Sequence, residues 1–592
     1  MSKDTYQHLL DLRQYMRSKN VDAVIIPGTD PHQSEYVSDY WKYREYLTGF
    51  TGDNGTAVVT LDKAGLWTDS RYFLQAEEQL RDSGFVMYKE RTPGEPNIRE
   101  WLAAELHDDA IVAIDGRLFT LIEANQLENF CGQNGFMLAT DFYPADEIWP
   151  DRPAMPADPA YVYPVEYDGE DVDSKIDRVM QAVKAAGADG MLVTALDEIA
   201  WLFNLRGSDV AYTPVVVAFA YITLHDRVLF IDEHKVTREV KDHLKHHNVK
   251  IKDYDEVEKY LSKVTERFTI ALDAHRVSDT LGQALMCGKT YIASPIIDLK
   301  AVKNEVEIAG YHEAMKVDGA ALVRAFKWIE ENAGNGITEI DVDRKIQEER
   351  GKCDLYRGDS FHTIAGYKEH GAIVHYEASE QSAATLAPDG LLLIDTGGQY
   401  LNGTTDITRT ISLGNVTAQQ RHDYTLVLKG HLALARAVFP RDTTGNQLDI
   451  LAHGPLWQEG LNYGHGTGHG VGHFLGCHEG PFQIRMNYIP AALRPGEVTS
   501  DEPGLYKTGE YGIRIENLLL VVPAMSNEEY GDFYKFEVLS LMPYDTRLID
   551  KEMLSPEEVK QVNDYHAWVR DTLSPLLEPA EQEWLAAKTE KI

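Results

Sequence analysis

Four segments between residues 393 and 517 carry aspartate, histidine and glutamate side chains that could bind divalent metal ions. Carboxylates and imidazoles are the ligands that hard and borderline divalent ions prefer. Two such ions held together lower the pKa of a bound water toward neutrality, so the pattern favours a hydrolase. The segments are LIDTGGQYLNGTTDITRT (393–410), GHGTGHGVGHFLGCHEGP (464–481), TSDEPGLY (499–506) and GIRIEN (512–517). The candidate ligands are Asp395, Asp406, His469, Glu502 and Glu516.

The two aspartates flank a predicted β-hairpin. Asp395 follows the apolar run LLLI, and Asp406 lies eleven residues later in the strand-like segment TTDITRTIS. The stretch GGQYLNG between them supplies turn residues, and Asn402-Gly403 is its strongest hairpin signal. Paired strands can bring both carboxylates to one place. Two aspartates near strand ends can also be simple turn formers, and only the neighbouring motifs favour metal binding.

The histidine segment is the most informative. His465, His469, His473 and His478 fall within fourteen residues and alternate with glycines, which let the backbone approach a bound group closely. A single histidine is more often a structural residue, but four at this spacing favour a metal or catalytic role. The glycines have no G-x-G-x-x-G register and the chain has no HExxH motif. These absences exclude a dinucleotide loop and a zincin helix.

The two glutamates are weak candidates alone, because most glutamates are solvated. Pro503-Gly504 follows Glu502 and predicts a sharp turn there. Glu516 lies within IRIENLLLVV, which is apolar enough to predict a buried strand, and a charge in a buried strand needs a partner or a metal. Four carboxylates and one imidazole form an oxygen-rich set. Such a set suits two Mn²⁺ ions, with Zn²⁺ or Co²⁺ as possible substitutes.

The composition excludes several classes of protein. The chain has 592 residues, of which 43% are hydrophobic and 26% charged, a typical globular mixture. Its net charge of −37 argues against nucleic acid or an anionic membrane as a partner. The four cysteines are far apart, the N-terminus has no secretory signal, and no apolar run reaches about 18 residues. We therefore expect a cytoplasmic protein. GQALMCGKT (282–290) fails the spacing of a phosphate-binding loop.

The order of patterns predicts three domains. An amphipathic helix followed by an apolar strand occurs in residues 10–29 and again in 175–196, which predicts two α/β modules of similar plan. The proline-rich stretch 149–164 suits a linker between them. The remaining region mixes helices with hairpin signals, is typical of an α+β domain, and holds every candidate ligand. The predicted domains are 1–155, 156–298 and 299–592.

Taken in this order, the segments resemble those of the pita-bread metallopeptidases, most closely the long three-domain aminopeptidase P (Xaa-Pro aminopeptidase) group. HQSEYVSDYWKYREYLTGFTGDNGTAVVT and LWTDSRYFLQAEEQ resemble its first domain, and VTALDEIAWLFNLRGSDV its second. The four metal segments resemble its catalytic domain. The resemblance implies two N-terminal α/β modules, a C-terminal pita-bread catalytic domain and a homodimer.

The resemblance also implies a role for each matching residue. Asp395 would bind one metal, His469 and Glu502 would bind the other, and Asp406 and Glu516 would bridge both. Glu502 would in addition move the proton of the nucleophile. The other catalytic residues would be His375, His465 and His478, and the proline pocket would be lined by Tyr506 and Arg514. His473 has no required counterpart and is interpreted as supporting or incidental.

The implied activity is release of the N-terminal residue from peptides with proline second, by attack of a hydroxide that bridges both metals. Prolidase, which cleaves Xaa-Pro dipeptides with the same ligands, is the nearest alternative. It lacks the second α/β module, and the spacing of nine from His469 to His478 resembles the long aminopeptidase. Methionine aminopeptidase shares the catalytic fold without the two preceding domains. A non-catalytic binding protein on this fold would be expected to have lost ligands, and all five are present.

Overall fold

A computed structural model of the protein describes residues 2–265 and 267–592. Its contacts divide the chain into two compact units. The first runs to Val165 and resumes over Glu170–Ile296, and the second combines Glu166–Gly169 with Ile297–Ile592. Among the described residues, every helix is too short or too polar to span a lipid bilayer.

Helices and strands alternate through the first unit, whereas the second groups its strands between long helices. The α-helices are α1 (Ser2–Lys19), α2 (Tyr43–Thr48), α3 (Phe73–Gln79), α4 (Ile98–Glu105), α5 (Leu121–Gln133), α6 (Pro144–Ile148), α7 (Val165–Asp168), α8 (Val172–Ala185), α9 (Leu196–Phe203), α10 (Arg238–His246), α11 (Val257–Leu261), α12 (Asp279–Ala284), α13 (Pro295–Ala301), α14 (Glu305–Asn332), α15 (Glu339–Arg350), α16 (Ala418–Ala435), α17 (Gly445–Trp457), α18 (Pro556–Leu573) and α19 (Pro579–Lys588). The strands are β1 (Ala23–Ile26), β2 (Thr56–Thr60), β3 (Ala64–Thr68), β4 (Val86–Lys89), β5 (Ile111–Ala113), β6 (Met137–Ala139), β7 (Tyr161–Val162), β8 (Gly190–Val193), β9 (Leu205–Arg206), β10 (Ala218–Thr223), β11 (Arg227–Ile231), β12 (Val249–Lys252), β13 (Thr269–Leu272), β14 (Gly288–Tyr291), β15 (Tyr356–Asp359), β16 (Ile364–Tyr367), β17 (Leu391–Thr396), β18 (Gly398–Tyr400), β19 (Gly403–Thr404), β20 (Ile407–Ser412), β21 (Val438–Pro440), β22 (Gly468–Gly470), β23 (Glu479–Ile484), β24 (Val498–Asp501), β25 (Gly504–Lys507), β26 (Tyr511–Arg514), β27 (Asn517–Asn527) and β28 (Gly531–Val538).

The first unit contains two six-stranded sheets of the same topology. Their strand orders are β4-β3-β2-β1-β5-β6 and β12-β11-β10-β8-β13-β14. In each sheet the central strand pairs antiparallel with the next strand on one side and parallel with the next on the other. The outermost pairs on both sides are parallel. The prediction of two α/β modules of similar plan is confirmed.

The segments YLTGFTG (46–52) and WLFNLRG (201–207), which are faintly similar in sequence, occupy equivalent places in these modules. Helix α2 ends at Gly49 with φ 73°, and α9 ends at Asn204 with φ 50°. Both residues are left-handed helix caps, a conformation that glycine and asparagine adopt more easily than other residues. The faint sequence repeat therefore reflects one helix-ending geometry used twice.

The second unit is organised around helix α14 and the antiparallel strands β16, β17 and β20. Asn304 and Glu307 form a capping box that starts α14, which satisfies backbone N–H groups at its first turn. Met315, Leu322 and Phe326 are buried, as predicted, in a core that also contains strand residues of β17 and β20. Ile308, predicted for the same face, is only partly buried. A six-stranded antiparallel sheet, β21-β28-β27-β24-β22-β23, completes the unit.

The two-unit division does not test the predicted three domains. The predicted boundary near residue 298 lies beside Ile297, where the second unit resumes. The boundary near residue 155 lies inside the first unit, between its two sheets in the sequence. The division into three domains stays a prediction.

Acid should destabilise the protein through His566 on α18. The ring is fully buried, and its Nε2 accepts a hydrogen bond of 3.1 Å from the backbone N–H of Tyr544. Burial lowers the pKa of His566 from 6.5 to about 4. The unfolded chain therefore binds this proton first as the pH falls, and stability is lost between about pH 6.5 and pH 4. At about 1.4 kcal/mol per pKa unit, the loss is roughly 3 kcal/mol.

Denaturant unfolding of the wild type and of His566→Gln across this pH range measures the effect. Glutamine can accept the same backbone hydrogen bond but does not titrate. We expect the stability of the variant to fall less steeply with acid. Equal pH slopes for the two proteins would contradict the assignment.

Candidate active site

The two aspartates lie on the antiparallel hairpin of β17 and β20, as predicted. Asp395 is opposite Thr408 in the register, and Asp406 directly precedes β20. The hairpin continues through β18 and β19, where Tyr400 pairs with Gly403. The turn therefore contains Leu401 and Asn402 and starts one residue earlier than Asn402-Gly403. Both carboxylates are buried, with residue exposures of 7% and 3%.

His469 lies on the short strand β22, where neighbouring backbone approaches closely. A Cβ atom at Gly468 would stand 2.2 Å from the Ser500 carbonyl oxygen, and one at Gly470 would stand 2.7 Å from that of Glu479. Only glycine fits at both positions. The His469 Nδ1 lies 3.0 Å from the Gly470 carbonyl, to which it must donate. This bond selects the tautomer whose Nε2 lone pair is free for a metal.

The two glutamates emerge from the same end of one strand pair. Asp501, the last residue of β24, is opposite Asn517, the first residue of β27. Glu502 follows the first of these and Glu516 precedes the second. Glu516 is 1% exposed, as its apolar surroundings predict. The expectation that it lies within a strand is wrong, because it occupies the break between β26 and β27.

The predicted ligands converge. Three groups of side chains have ligand atoms within 4.8 Å of one another: Asp395, Asp406 and Glu516; His469, Glu502 and Glu516; and Asp406, His469 and His478. The His469 Nε2 is 3.4 Å from Asp406 Oδ2 and 3.5 Å from Glu502 Oε1. Asp406, His469 and Glu516 each belong to two of these groups, so the three groups form one continuous cluster.

The electrostatics of this cluster fit a pair of cations. Burial raises the pKa values of Asp395 and Glu516, and neighbouring carboxylates raise them further. Burial likewise raises the pKa of Glu502, to about 7. Asp395 Oδ1 and Glu516 Oε1 are buried and have no hydrogen-bond donor within the described part of the chain. Divalent ions would satisfy these oxygens and offset the repulsion between the carboxylates.

Arg514 and Tyr506 form a hydrogen-bonded chain that ends on a metal-ligand candidate. Arg514 donates to Asp395 Oδ2 from Nη2 at 2.6 Å and from Nε at 3.0 Å. Its Nη1 donates to the Tyr506 hydroxyl at 2.7 Å. That hydroxyl is 2.8 Å from Nε2 of His465. The other ring nitrogen of His465, Nδ1, lies 2.9 Å from the Gly466 carbonyl and donates to it. Tyr506 therefore donates to His465, and burial raises its pKa to about 12, which keeps it protonated.

Arg514 is 1% exposed and hydrogen-bonds to Asp395, so its geometry supports a role in positioning the Asp395 carboxylate. Contact of Arg514 and Tyr506 with the proline ring stays a prediction. His375 is half-buried and directly follows Val374, whose carbonyl lies 3.4 Å from Arg514 Nη2. His375 therefore directly follows a residue whose carbonyl contacts Arg514. Its catalytic role also stays a prediction.

The other two histidines of the glycine-rich segment differ in position. The rings of His478 and His469 lie edge to face with centroids 4.4 Å apart. His473 instead packs against helix α14, with its ring 5.4 Å from that of Tyr311 and its Nδ1 4.0 Å from Glu307. The structure thus brings His478 to the ligand cluster, whereas His473 packs against α14.

Three residues that contact the candidate ligands were not predicted. Thr408 donates to Glu516 Oε2 at 2.8 Å, Cys477 donates to Asp406 Oδ2 at 3.3 Å, and Ser500 accepts from the His469 backbone N–H at 3.0 Å. Thr408 lies two residues after Asp406, where strand alternation could have indicated a shared face. Cys477 and Ser500 carry no comparable sequence signal, because their partners are distant in the chain.

Metal binding should strengthen as the pH rises. In metal-free protein the Glu502 pKa is about 7, so a bound ion must displace a proton below that pH. The affinity for the metal ion should therefore increase about tenfold between pH 6 and pH 8 from deprotonation of this carboxyl group alone. Calorimetric titration with Mn²⁺ in two buffers of different ionisation enthalpy measures both affinity and proton release. Equal affinities at the two pH values, with no proton release, would contradict it.

Comparison with known proteins covers the whole chain. Residues 309–523 match the family model described as metallopeptidase family M24, and residues 532–592 match that for the C-terminal region of peptidase M24. Residues 9–143 and 151–307 match two models, each described as a creatinase/prolidase N-terminal domain. The two sheets of the first unit fall one in each of these matches.

Relatives and a solved structure extend over the same length. A "Probable Xaa-Pro aminopeptidase P" of Coprinopsis cinerea is 39% identical, covering 100% of this chain and 99% of that protein. "Aminopeptidase P1" of Lotus japonicus is 37% identical over 98% and 99%. The crystal structure of X-prolyl aminopeptidase from Caenorhabditis elegans, described as a cytosolic enzyme with a di-nuclear active site, is 33% identical with a TM-score of 0.96, covering 100% of both chains. The predicted fold is confirmed, and the chain belongs to metallopeptidase family M24, within its aminopeptidase P group.

Proposed function

We propose that the protein is a metal-dependent aminopeptidase that releases the N-terminal residue from peptides with proline in the second position. The observation that carries this proposal is the convergence of three overlapping ligand groups that share Asp406, His469 and Glu516. The full-length likeness to proteins named Xaa-Pro aminopeptidase P supports the substrate class.

Two divalent ions would be held by Asp395, Asp406, His469, Glu502 and Glu516. We propose Mn²⁺, with Zn²⁺ or Co²⁺ as alternatives, because four of the five ligands are carboxylates. When bound, the ions lower the pKa of a water and polarise the substrate carbonyl. Two buried carboxylate oxygens, Asp395 Oδ1 and Glu516 Oε1, lack a hydrogen-bond donor among the described residues, which supports this assignment.

The remaining steps belong to side chains of the protein. As the water oxygen bonds to the carbonyl carbon, Glu502 would accept the water proton, which is the role of a general base. When the C–N bond breaks, Glu502 returns that proton to the proline nitrogen. His478, beside His469, would donate a hydrogen bond to the carbonyl oxygen as its charge develops. His465 and Tyr506 hold Arg514 on Asp395, and His375 would face the substrate.

Cleavage of Xaa-Pro-Xaa tripeptides tests the function. Treatment with EDTA should abolish release of the first residue, and added Mn²⁺ should restore it. Asp406→Asn should lower kcat/KM at least about a hundredfold, because a bridging ligand loses its charge. Asp389→Asn is the matched control, since Asp389 is exposed and contacts Lys368 rather than the cluster. Turnover that resists EDTA, or an Asp406→Asn variant with full activity, would disprove the proposal.

The same assay separates the alternative activities. A prolidase would cleave Xaa-Pro dipeptides better than Xaa-Pro-Xaa tripeptides, whereas the proposed enzyme prefers the longer substrate. A non-catalytic binding protein would cleave neither and would hold no stoichiometric pair of ions. The complete ligand set of the cluster favours the enzyme over such a binding protein.

We also propose a homodimer in the cytoplasm. Four free cysteines without framework spacing support a reducing compartment. For the dimer, helix α17 exposes Ile450, Leu451 and Trp457, with exposures of 54%, 36% and 41%. Positions 450, 454 and 457 fall on one helical face, so the side chains of Ile450 and Trp457 form a common apolar surface.

Replacing one residue of that face should dissociate the dimer. We expect Ile450→Asp to shift the mass measured by light scattering from twice the chain mass to the chain mass of 66.7 kDa. A buried charge at an apolar interface is unfavourable. Met525→Asp, which changes an apolar residue of similar exposure on β27, serves as the control. An Ile450→Asp protein that remains dimeric would contradict this surface.

A further inference from the structure

We propose that His431 on helix α16 is a positioning residue that sets the separation between Glu502 and Glu516. The inference rests on the proposed metal-binding function of these glutamates. His431 is 0% exposed and lies in the middle of the second unit. One ring nitrogen contacts the residue before Glu502 and the other contacts the residue after Glu516. A single imidazole therefore joins these two neighbouring residues.

The first contact is with Asp501, the residue before Glu502. The His431 Nδ1 is 3.1 Å from the Asp501 carbonyl oxygen and 3.1 Å from its Oδ2. Both neighbours are acceptors, so Nδ1 must carry the proton. Asp501 is itself 0% exposed. The carboxylate oxygens of Asp501 have no hydrogen-bond donor among the described residues, so the hydrogen bond from the imidazole goes to the backbone carbonyl.

The second contact is with Asn517, the residue after Glu516. With Nδ1 protonated, Nε2 is an acceptor, and it lies 2.9 Å from the Tyr544 hydroxyl and 3.2 Å from Asn517 Nδ2. The other end of the Asn517 amide accepts from Arg409 Nη2 at 2.8 Å. The amide is therefore oriented from both sides, and its nitrogen points at the imidazole.

The strand geometry shows why this cross-link matters. Asp501 and Asn517 are paired residues at the end of the β24–β27 ladder, and pairing resumes only between Gly504 and Arg514. Glu502 and Glu516 lie in the gap between these ladders. Their backbone N–H groups bond to Thr467 and Thr408, on two other segments. The distance between the two glutamates therefore depends on the positions of Asp501 and Asn517, the residues that His431 joins.

Conservative variants of His431 test the proposal. His431→Asn keeps a donor near Asp501 and loses the acceptor at Nε2, whereas His431→Gln keeps a polar group near Asn517 and loses the Nδ1 donor. If the imidazole sets the spacing, both variants should weaken the binding of Mn²⁺ to metal-free protein by about 10- to 100-fold. They should also lower kcat more than they raise KM for Xaa-Pro-Xaa peptides.

The matched control is His32→Asn in the first unit. His32 is also buried, with Nδ1 2.7 Å from the Thr194 carbonyl and Nε2 2.9 Å from the Tyr254 hydroxyl. It presents the same pattern of one donated and one accepted bond. We expect this variant to lower the thermal midpoint of unfolding and to leave Mn²⁺ affinity unchanged.

Two results would overturn the proposal. One is wild-type Mn²⁺ affinity in both His431 variants, and the other is an equal loss of affinity in His32→Asn, which would indicate general destabilisation. The proposed function fails in a different way, namely if the wild-type protein does not cleave Xaa-Pro-Xaa peptides. In that case the affinity of the wild type and variants for Mn²⁺ still decides the role of His431.

Discussion

The second unit depends on keeping four acidic side chains close together, of which Asp395, Asp406 and Glu516 are buried. Each carboxylate loses hydration on burial and repels its neighbours, and both effects favour protonation. The protein offsets only part of this cost, with Arg514 on Asp395, Thr408 on Glu516 and the thiol of Cys477 on Asp406. The rest of the neutralisation is left to cations. A cluster that is unfavourable alone is thereby made selective for the ions that complete it.

Three of the four acidic side chains lie where regular strand pairing stops, whereas Asp395 lies within β17. Asp406 directly precedes β20, and Glu502 and Glu516 occupy a gap between two ladders. At such positions the side chain is not committed to one face of a sheet, so groups from different strands can point at a common centre. Buried side-chain contacts, among them those of Arg409 and His431, fix the positions that the strand ladder no longer fixes.

The sequence predicted the parts of this arrangement that are local. Residue type and spacing pointed to five candidate ligands, which the structure brings together with His478, and helix-strand periodicity indicated the repeated modules. Local turn rules were less accurate, since the hairpin turns at Leu401–Asn402 and Glu516 lies outside a strand. Thr408, Ser500 and His431 escaped detection for a different reason. Their partners lie up to 113 residues away, and no periodic pattern encodes a contact at that distance.

The backbone bond of His469 has a consequence for how the centre can be altered. The Gly470 carbonyl decides which ring nitrogen of His469 is protonated. The orientation of the Gly470–Val471 peptide group therefore determines whether the other ring nitrogen has a lone pair for the metal. A change that merely rotated this peptide plane would present an N–H, rather than a lone pair, to the ions. Affinity for metal is therefore vulnerable to mutations that leave every coordinating side chain intact.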